Sequence, residues 1–194
     1  MTLSCRQGVT DMNSKLQTSA ALLDRFAEAT GRIIAWLTLG MVLMTFTVVI
    51  LRYLFQTGSI ALQESVSYLH ASVFMLGAAY TLKHDGHVRV DILYQRFSAR
   101  TRAWIDLLGT LLLLFPVCLF ILFSSLEYVT TSWSIQEGSR EAGGLDGVFL
   151  LKTAIPVMAV LLLLQGCSII LHKVLLLTGH ALPADRDSHL DRKL

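Results

Sequence analysis

Four apolar stretches dominate the chain, and polar segments separate them. They cover residues 33–51, 66–82, 107–126 and 154–171. None contains Asp, Glu, Lys or Arg, and each is about 25–30 Å long as a helix, close to the thickness of a bilayer's hydrocarbon core. Because backbone groups cannot stay unpaired in lipid, and because the runs are continuous rather than alternating, they predict helices rather than a barrel. We therefore expect an all-α integral membrane protein with four transmembrane helices. The spans are predicted at about 33–51, 66–82, 104–126 and 154–174.

Composition supports a membrane protein over a soluble helical bundle. The 194 residues are 54% hydrophobic and only 15% charged, whereas a soluble domain carries about 25% charged residues. A soluble helix also needs a polar face, which 107–126 lacks. The polar start of the chain predicts no cleavable signal peptide. The net charge of +2 gives no indication of nucleic-acid binding.

Basic residues are distributed unevenly between the two sides of the predicted bundle. Both terminal segments and the loop between spans two and three hold 13 of the 16 Lys and Arg residues. The other two loops hold three. Because basic loops stay in the cytoplasm, we expect both termini and the middle loop to be cytoplasmic.

Two segments beside the spans have an amphipathic pattern. Apolar residues recur at helical spacing near the start of the chain, at Leu16, Ala20, Leu23 and Ala27. We expect residues 1–32 to form a cytoplasmic segment with a helix lying in the membrane interface. A second interfacial helix is predicted over about 91–99, with Ser98 as the N-cap of the helix that follows. Residues 33–177 would form the membrane domain, and 178–194 a cytoplasmic tail.

The loop from Glu127 to Lys152 is the long outer segment and contains several charges. Its candidate docking residues are Glu137, Arg140, Glu141 and Asp146. A loop of this size is either a surface for a soluble partner or a passive connector, and the residues alone leave both open.

Few polar residues lie near the spans, and helix packing explains them better than chemistry. Glu64 starts span two, and Arg52 is its nearest candidate partner. His70 and Gln165 can hydrogen-bond to neighbouring helices, which is worth about 1 kcal/mol in membranes. Pro156 is expected in the first turn of its helix, where proline is tolerated.

The sequence contains no recognisable catalytic or cofactor site. The histidines lie at unmatched depths, so they predict no bis-histidine haem pair, and the cysteines show no metal-ligand spacing. With so few polar groups inside its spans, the chain resembles a subunit more than a complete carrier.

Three strings carry a family resemblance. They are Gln63-Glu64-Ser65-Val66-Ser67-Tyr68-Leu69, Phe74-Met75-Leu76-Gly77-Ala78-Ala79-Tyr80 and Lys83-His84-Asp85-Gly86-His87-Val88-Arg89-Val90-Asp91-Ile92-Leu93. Together they closely resemble the small membrane subunit (DctQ type) of tripartite ATP-independent periplasmic (TRAP) transporters. Gly143-Gly144-Leu145, Ile155-Pro156 and Leu164-Gln165-Gly166 are similar to the same family, so the resemblance covers about residues 30–175. Many members have two adjacent acidic residues before span two, whereas here Ser65 follows Glu64.

The resemblance implies a non-enzymatic scaffold without a cofactor of its own. Its implied partners are a large membrane subunit (DctM type), which would carry the substrate and sodium sites, a periplasmic solute-binding protein and membrane lipids. Transport would be sodium-coupled uptake of an organic anion, commonly a carboxylate. The candidate interface or structural residues are Arg52, Glu64, His70, Gly77, His87, Arg89, Asp91 and Gln165. The alternative function is a membrane anchor for an oxidoreductase.

Overall fold

The described part of the protein is a bundle of four long helices. The computed structural model describes residues 2–84, 86, 94 and 96–178, with side chains described from Leu16 onward. The helices are α1 (Thr2–Tyr53), α2 (Ile60–Lys83), α3 (Ala99–Ser134) and α4 (Val148–Leu177). These residue ranges contain no strand, which confirms the all-α fold class. The predicted helix over 91–99 lies largely outside the described residues.

Three of the helices are long and apolar enough to cross a membrane. They are α1, over its Leu16–Tyr53 part, and the whole of α3 and of α4. In the part of the chain that the structure describes, α2 does not reach the same hydropathy, because Ser65, Ser67, His70 and Ser72 interrupt its apolar run. The fourth span therefore stays a prediction.

Helix α1 differs from the prediction at its N-terminal half. The segment before the first span was expected to form an amphipathic helix lying in the membrane interface, and in the structure it continues into the span as one helix from Thr2 to Tyr53. Its apolar stripe packs into the bundle instead: Ala20, Ala27 and Ile34 are buried at seven-residue intervals, and α1 packs against α2 and α4. An amphipathic stripe suits either a membrane interface or a helical neighbour, so the pattern alone could not separate the two.

Helix α3 contains a π turn at Thr110–Leu114, where the Phe115 N–H donates to the carbonyl oxygen of Thr110. Pro116 follows at once and has no N–H to donate, so the α-helical hydrogen-bond ladder is already interrupted there. The predicted N-cap is confirmed, since the Ser98 hydroxyl accepts from the Thr101 N–H at 3.2 Å.

Helix α4 is the central element, because it packs against α1, α2 and α3. Its buried residues are Ala159, Gln165, Gly166, Ser168 and Leu175. Gly166 permits a close approach to the π turn: a Cβ there would lie 2.7 Å from Leu114 Cδ2 and 2.9 Å from Phe115 Cε2. The helix begins at Val148, earlier than the predicted span, so Pro156 lies inside it and not in its first turn.

Candidate functional site

Glu64 anchors the loop between α3 and α4. It lies in α2 just after the N-cap Ser59, whose side chain accepts from the Leu62 N–H at 3.4 Å. The Glu64 carboxylate accepts a short hydrogen bond from the Ser139 hydroxyl and a second from the Leu145 N–H at 2.7 Å. These contacts tie one loop to a helix 75 to 81 residues away in sequence.

The same loop is folded back on itself. This places the two groups that donate to Glu64, the Ser139 hydroxyl and the Leu145 N–H, side by side. The Ser139 N–H donates to the Leu145 carbonyl at 3.0 Å, and the Glu141 N–H donates to the Ser139 hydroxyl at 3.1 Å. Gly143 takes a φ of +80°, a left-handed conformation that favours glycine. Gly144 leaves room for the carboxylate, since a Cβ there would lie 2.7 Å from Glu64 Oε2.

Hydrogen bonding also keeps Glu64 ionised. The bond from the Ser139 hydroxyl, followed by the bond from the Leu145 N–H, lowers the pKa of the Glu64 carboxyl. Both donors stabilise the charged form. The sequence suggested Arg52 as the partner of Glu64, but the structure gives Glu64 these two loop donors, and the Arg52 side chain is exposed.

A second anchor joins the start of the loop to α4. Glu137 forms a close ion pair with Lys152 and accepts a hydrogen bond from the Ser132 hydroxyl at 2.7 Å. These contacts, with Lys152 first, lower the pKa of the Glu137 carboxyl. Lys152 also lies 3.8 Å from the centre of the Tyr128 ring. Glu127 lines the same groove, which holds about 370 Å³.

The two anchors separate the predicted docking residues into two groups. Glu137 faces Lys152 and Ser132 and holds the loop in place. Arg140, Glu141 and Asp146 are exposed on its surface. The loop is therefore a fixed surface with charged side chains, held at the end of the bundle that contains Glu64, here called the Glu64 end.

The opposite end of the bundle, here called the Asp24 end, has its own polar network between α1 and α4. The Ser168 hydroxyl donates to Asp24 Oδ1 at 2.7 Å, and His172 Nε2 lies 3.5 Å from Asp24 Oδ2. Lys173 pairs with Asp106 at 3.2 Å, which joins α4 to α3.

Helices α1 and α2 are joined at the Asp24 end as well. Lys83 Nζ lies 2.8 Å from Glu28 Oε2 and donates to the Asp24 carbonyl at 3.0 Å. His84 Nε2 lies 3.3 Å from the same Glu28 oxygen, and its ring packs on Tyr80 with centroids 4.3 Å apart. Sequence reasoning missed this network. Its available signal was the four-residue spacing of Asp24 and Glu28, which places both carboxylates on one side of α1.

Of the remaining candidate residues, the structure describes His70, Gly77 and Gln165, and each has different surroundings. His70 is exposed on α2 and has no hydrogen-bond partner within the described residues. Gly77 lies against α1, with room for a Cβ 3.8 Å from Ile34 Cγ2. Gln165 is 4% exposed, and its Oε1 has no partner in the described part of the chain. His87, Arg89 and Asp91 lie outside the described residues.

The contacts described above link the helices to one another and to the loop. In the described ranges, no group of three His, Cys, Asp or Glu side chains could hold a metal ion.

Three long apolar helices with polar networks at both ends define a multi-pass membrane protein. Residues 41–175 match the family described as tripartite ATP-independent periplasmic transporters, DctQ component. The chain belongs to this family, as the small permease component of a TRAP transporter. No curated protein and no solved structure gave a match.

Proposed function

We propose that this protein scaffolds the large permease subunit of a TRAP transporter during sodium-coupled uptake of an organic anion. The substrate class is a carboxylate, delivered by a periplasmic binding protein. The large subunit holds the substrate and sodium sites, and this chain carries no cofactor and catalyses no reaction. The observation that carries the proposal is the family match over residues 41–175, which runs from the last quarter of α1 to near the end of α4.

The location of the polar contacts supports a scaffold. At the Glu64 end they join α2 and α4 to the loop, and at the Asp24 end they join α4 to α1 and α3. Fastening of this kind restrains the helices relative to one another. A substrate path would instead need convergent polar groups or a broken helix near the middle of the membrane.

We further propose that α2 is the fourth span and that both termini are in the cytoplasm. Its 24 residues are about 36 Å long, which is enough to cross the hydrocarbon core. The terminal segments and the loop after α2 contain 13 of the 16 Lys and Arg residues in the sequence, which supports placing the Glu64 end on the periplasmic side of a bacterial inner membrane.

This orientation makes the loop anchored by Glu64 and Lys152 a docking surface for the binding protein. The exposed charges of Arg140, Glu141 and Asp146 would set the encounter between the two proteins, because rim charges act mainly on association. Holding the loop in one conformation before binding lowers the entropy cost of docking.

Reconstitution tests the function directly. Proteoliposomes would contain the large subunit with or without this chain, and the binding protein, labelled organic acids and a sodium gradient would be supplied. We expect uptake to need all three proteins and the gradient. Uptake that is unchanged without this chain would contradict the proposal. A stoichiometric b-type haem spectrum of the purified protein would support the oxidoreductase anchor in its place.

A further inference from the structure

One face of α2 is exposed along a narrow stripe. Gln63, Ser67, His70 and Phe74 follow one another at steps of four, three and four residues, so they lie in one line along the helix. All four side chains are exposed, and Phe74 is 72% exposed. We call these four residues the α2 stripe. It is about 17 Å long.

The α2 stripe is polar over most of its length. Ser67 makes only a long contact of 3.5 Å with the Gln63 carbonyl of its own helix. The His70 ring nitrogens have no partner in the described ranges of the chain. The other side of α2 is already occupied, since Ala79 is 3% exposed and α2 packs against α1 and α4.

This polarity is reversed relative to what lipid favours. Polar side chains in membrane helices face the interior of the bundle, because hydrocarbon offers them no hydrogen bonds. On α2, Ser67 and His70 face outward, and they are two of the polar residues that lower its hydropathy below that of the other three helices. Such a face becomes an interior surface when another helix covers it.

We infer that the α2 stripe is the docking face for a transmembrane helix of the large permease subunit. This inference rests on the proposed function, in which α2 crosses the membrane. The partner helix would present a hydrogen-bonding side chain to His70 and a small residue beside Phe74. A soluble binding protein cannot reach a face inside the membrane, so of the two protein partners in the proposed function only the large permease subunit fits.

Replacing the polar groups by leucine gives opposite outcomes for a lipid-facing and a subunit-facing surface. The chain, tagged, is co-expressed with the large subunit, and the amount of large subunit retained on purification is measured. For Ser67→Leu and His70→Leu we expect retention to fall about three- to thirtyfold, the range for interhelical hydrogen bonds in membranes. His70→Gln, which keeps a hydrogen-bonding group, should retain more than His70→Leu.

Helix α1 provides the matched control. Thr45 is also exposed and polar, and its hydroxyl donates to the Met41 carbonyl of its own helix at 2.8 Å. Thr45→Leu should leave retention unchanged. If the leucine variants on α2 retain as much large subunit as the wild type, or more, the α2 stripe faces lipid and the inference is wrong. If the wild-type chain retains no large subunit at all, the proposed function fails first.

Photo-crosslinking provides a second measurement that does not depend on weakening the complex. A benzophenone amino acid is placed at Phe74 or at Phe120 of α3, which is also 72% exposed. We expect a crosslink to the large subunit from position 74 and a much weaker one from position 120. Equal labelling at the two positions, or a crosslink from position 74 only to lipid or to a second copy of this chain, would overturn the inference.

Discussion

Gly31 and Gly40 provide a test of how closely α1 and α2 approach each other. Both glycines lie within α1, nine positions apart. A Cβ at Gly31 would collide with the Tyr80 ring, with Tyr80 Cγ at 2.7 Å, whereas a Cβ at Gly40 would have nothing within 4 Å. The Tyr80 ring packs on His84, with ring centroids 4.3 Å apart, so moving it away from Gly31 would disturb that contact.

The two alanine variants share one contribution and differ in the other. Replacing glycine by alanine inside a helix stabilises it by about 0.8–1 kcal/mol, and this gain applies to both positions. Inserting a methyl group into an occupied site costs about 1–3 kcal/mol, and this cost applies only to Gly31. We therefore expect Gly31→Ala to be less stable than Gly40→Ala by about 1–3 kcal/mol, with Gly40→Ala at or above the wild type.

Reversible unfolding in mixed detergent micelles measures this difference. The cost should become smaller when the ring is removed, so Gly31→Ala in a Tyr80→Leu background should destabilise less than it does in the wild type. Equal stability of the two alanine variants would refute the close approach. So would an unchanged cost of Gly31→Ala after Tyr80 is replaced.

Four further predictions concern the loop and the π turn. Glu64→Gln should lower uptake less than tenfold, because the residue anchors a loop and does not bind substrate, and radiolabelled uptake measures this. The lowered pKa of the Glu64 carboxyl means that its contribution to stability is complete above the ordinary glutamate pKa and is lost as the pH falls through the lowered pKa. The protection of the Leu145 amide against hydrogen exchange should therefore persist from neutral pH down to the ordinary glutamate pKa and be lost only at lower pH. Charge reversal at Glu141 or Asp146 should weaken the response of uptake to added binding protein, which a titration with binding protein measures. Gly166→Ala should destabilise the protein in the micelle assay, because its Cβ would meet side chains of the π turn.

Each of these predictions has an outcome that contradicts it. Uptake at background in Glu64→Gln with the complex intact would give Glu64 a direct part in transport. Early loss of Leu145 protection on mild acidification would mean that the pKa of Glu64 is not lowered. An unchanged binding-protein titration would remove the loop as a docking surface. For Gly166, the control is Gly109→Ala, where a Cβ meets nothing within 4 Å, and equal effects at the two positions would be a contradiction.

The sequence predicted the helices well because lipid leaves few choices. Continuous apolar runs must be helical in a bilayer, so α3 and α4 followed from their apolar runs alone. The family followed from short strings such as the one around Glu64, and the match over residues 41–175 confirmed it. The N-cap at Ser98 was also predicted, because capping depends on a few adjacent residues.

Features that depend on distant parts of the chain were not predictable in the same way. Ser139 and Leu145 meet Glu64 only because α3 returns the chain to the end of the bundle where α2 begins, and no local pattern shows this. The continuity of α1 was missed because an amphipathic stripe does not identify what covers it. The contact between Asp24 and Ser168 joins residues 144 positions apart.

The π turn of α3 shifts the spacing of the buried positions along the sequence by one residue. Five of the six buried positions along this helix are Ala103, Thr110, Cys118, Ser125 and Ser132, and the sixth, Val129, lies between the last two. Their steps are seven, eight, seven and seven, and the eight-residue step contains the turn. Helix α3 is thus two segments with a seven-residue repeat, joined by one extra residue that keeps both segments facing the same way. Deleting a leucine inside the turn should therefore be tolerated, whereas deleting a residue outside it should swing one segment by about 100° and separate it from α4, a contrast that thermal unfolding of the two deletion variants would show.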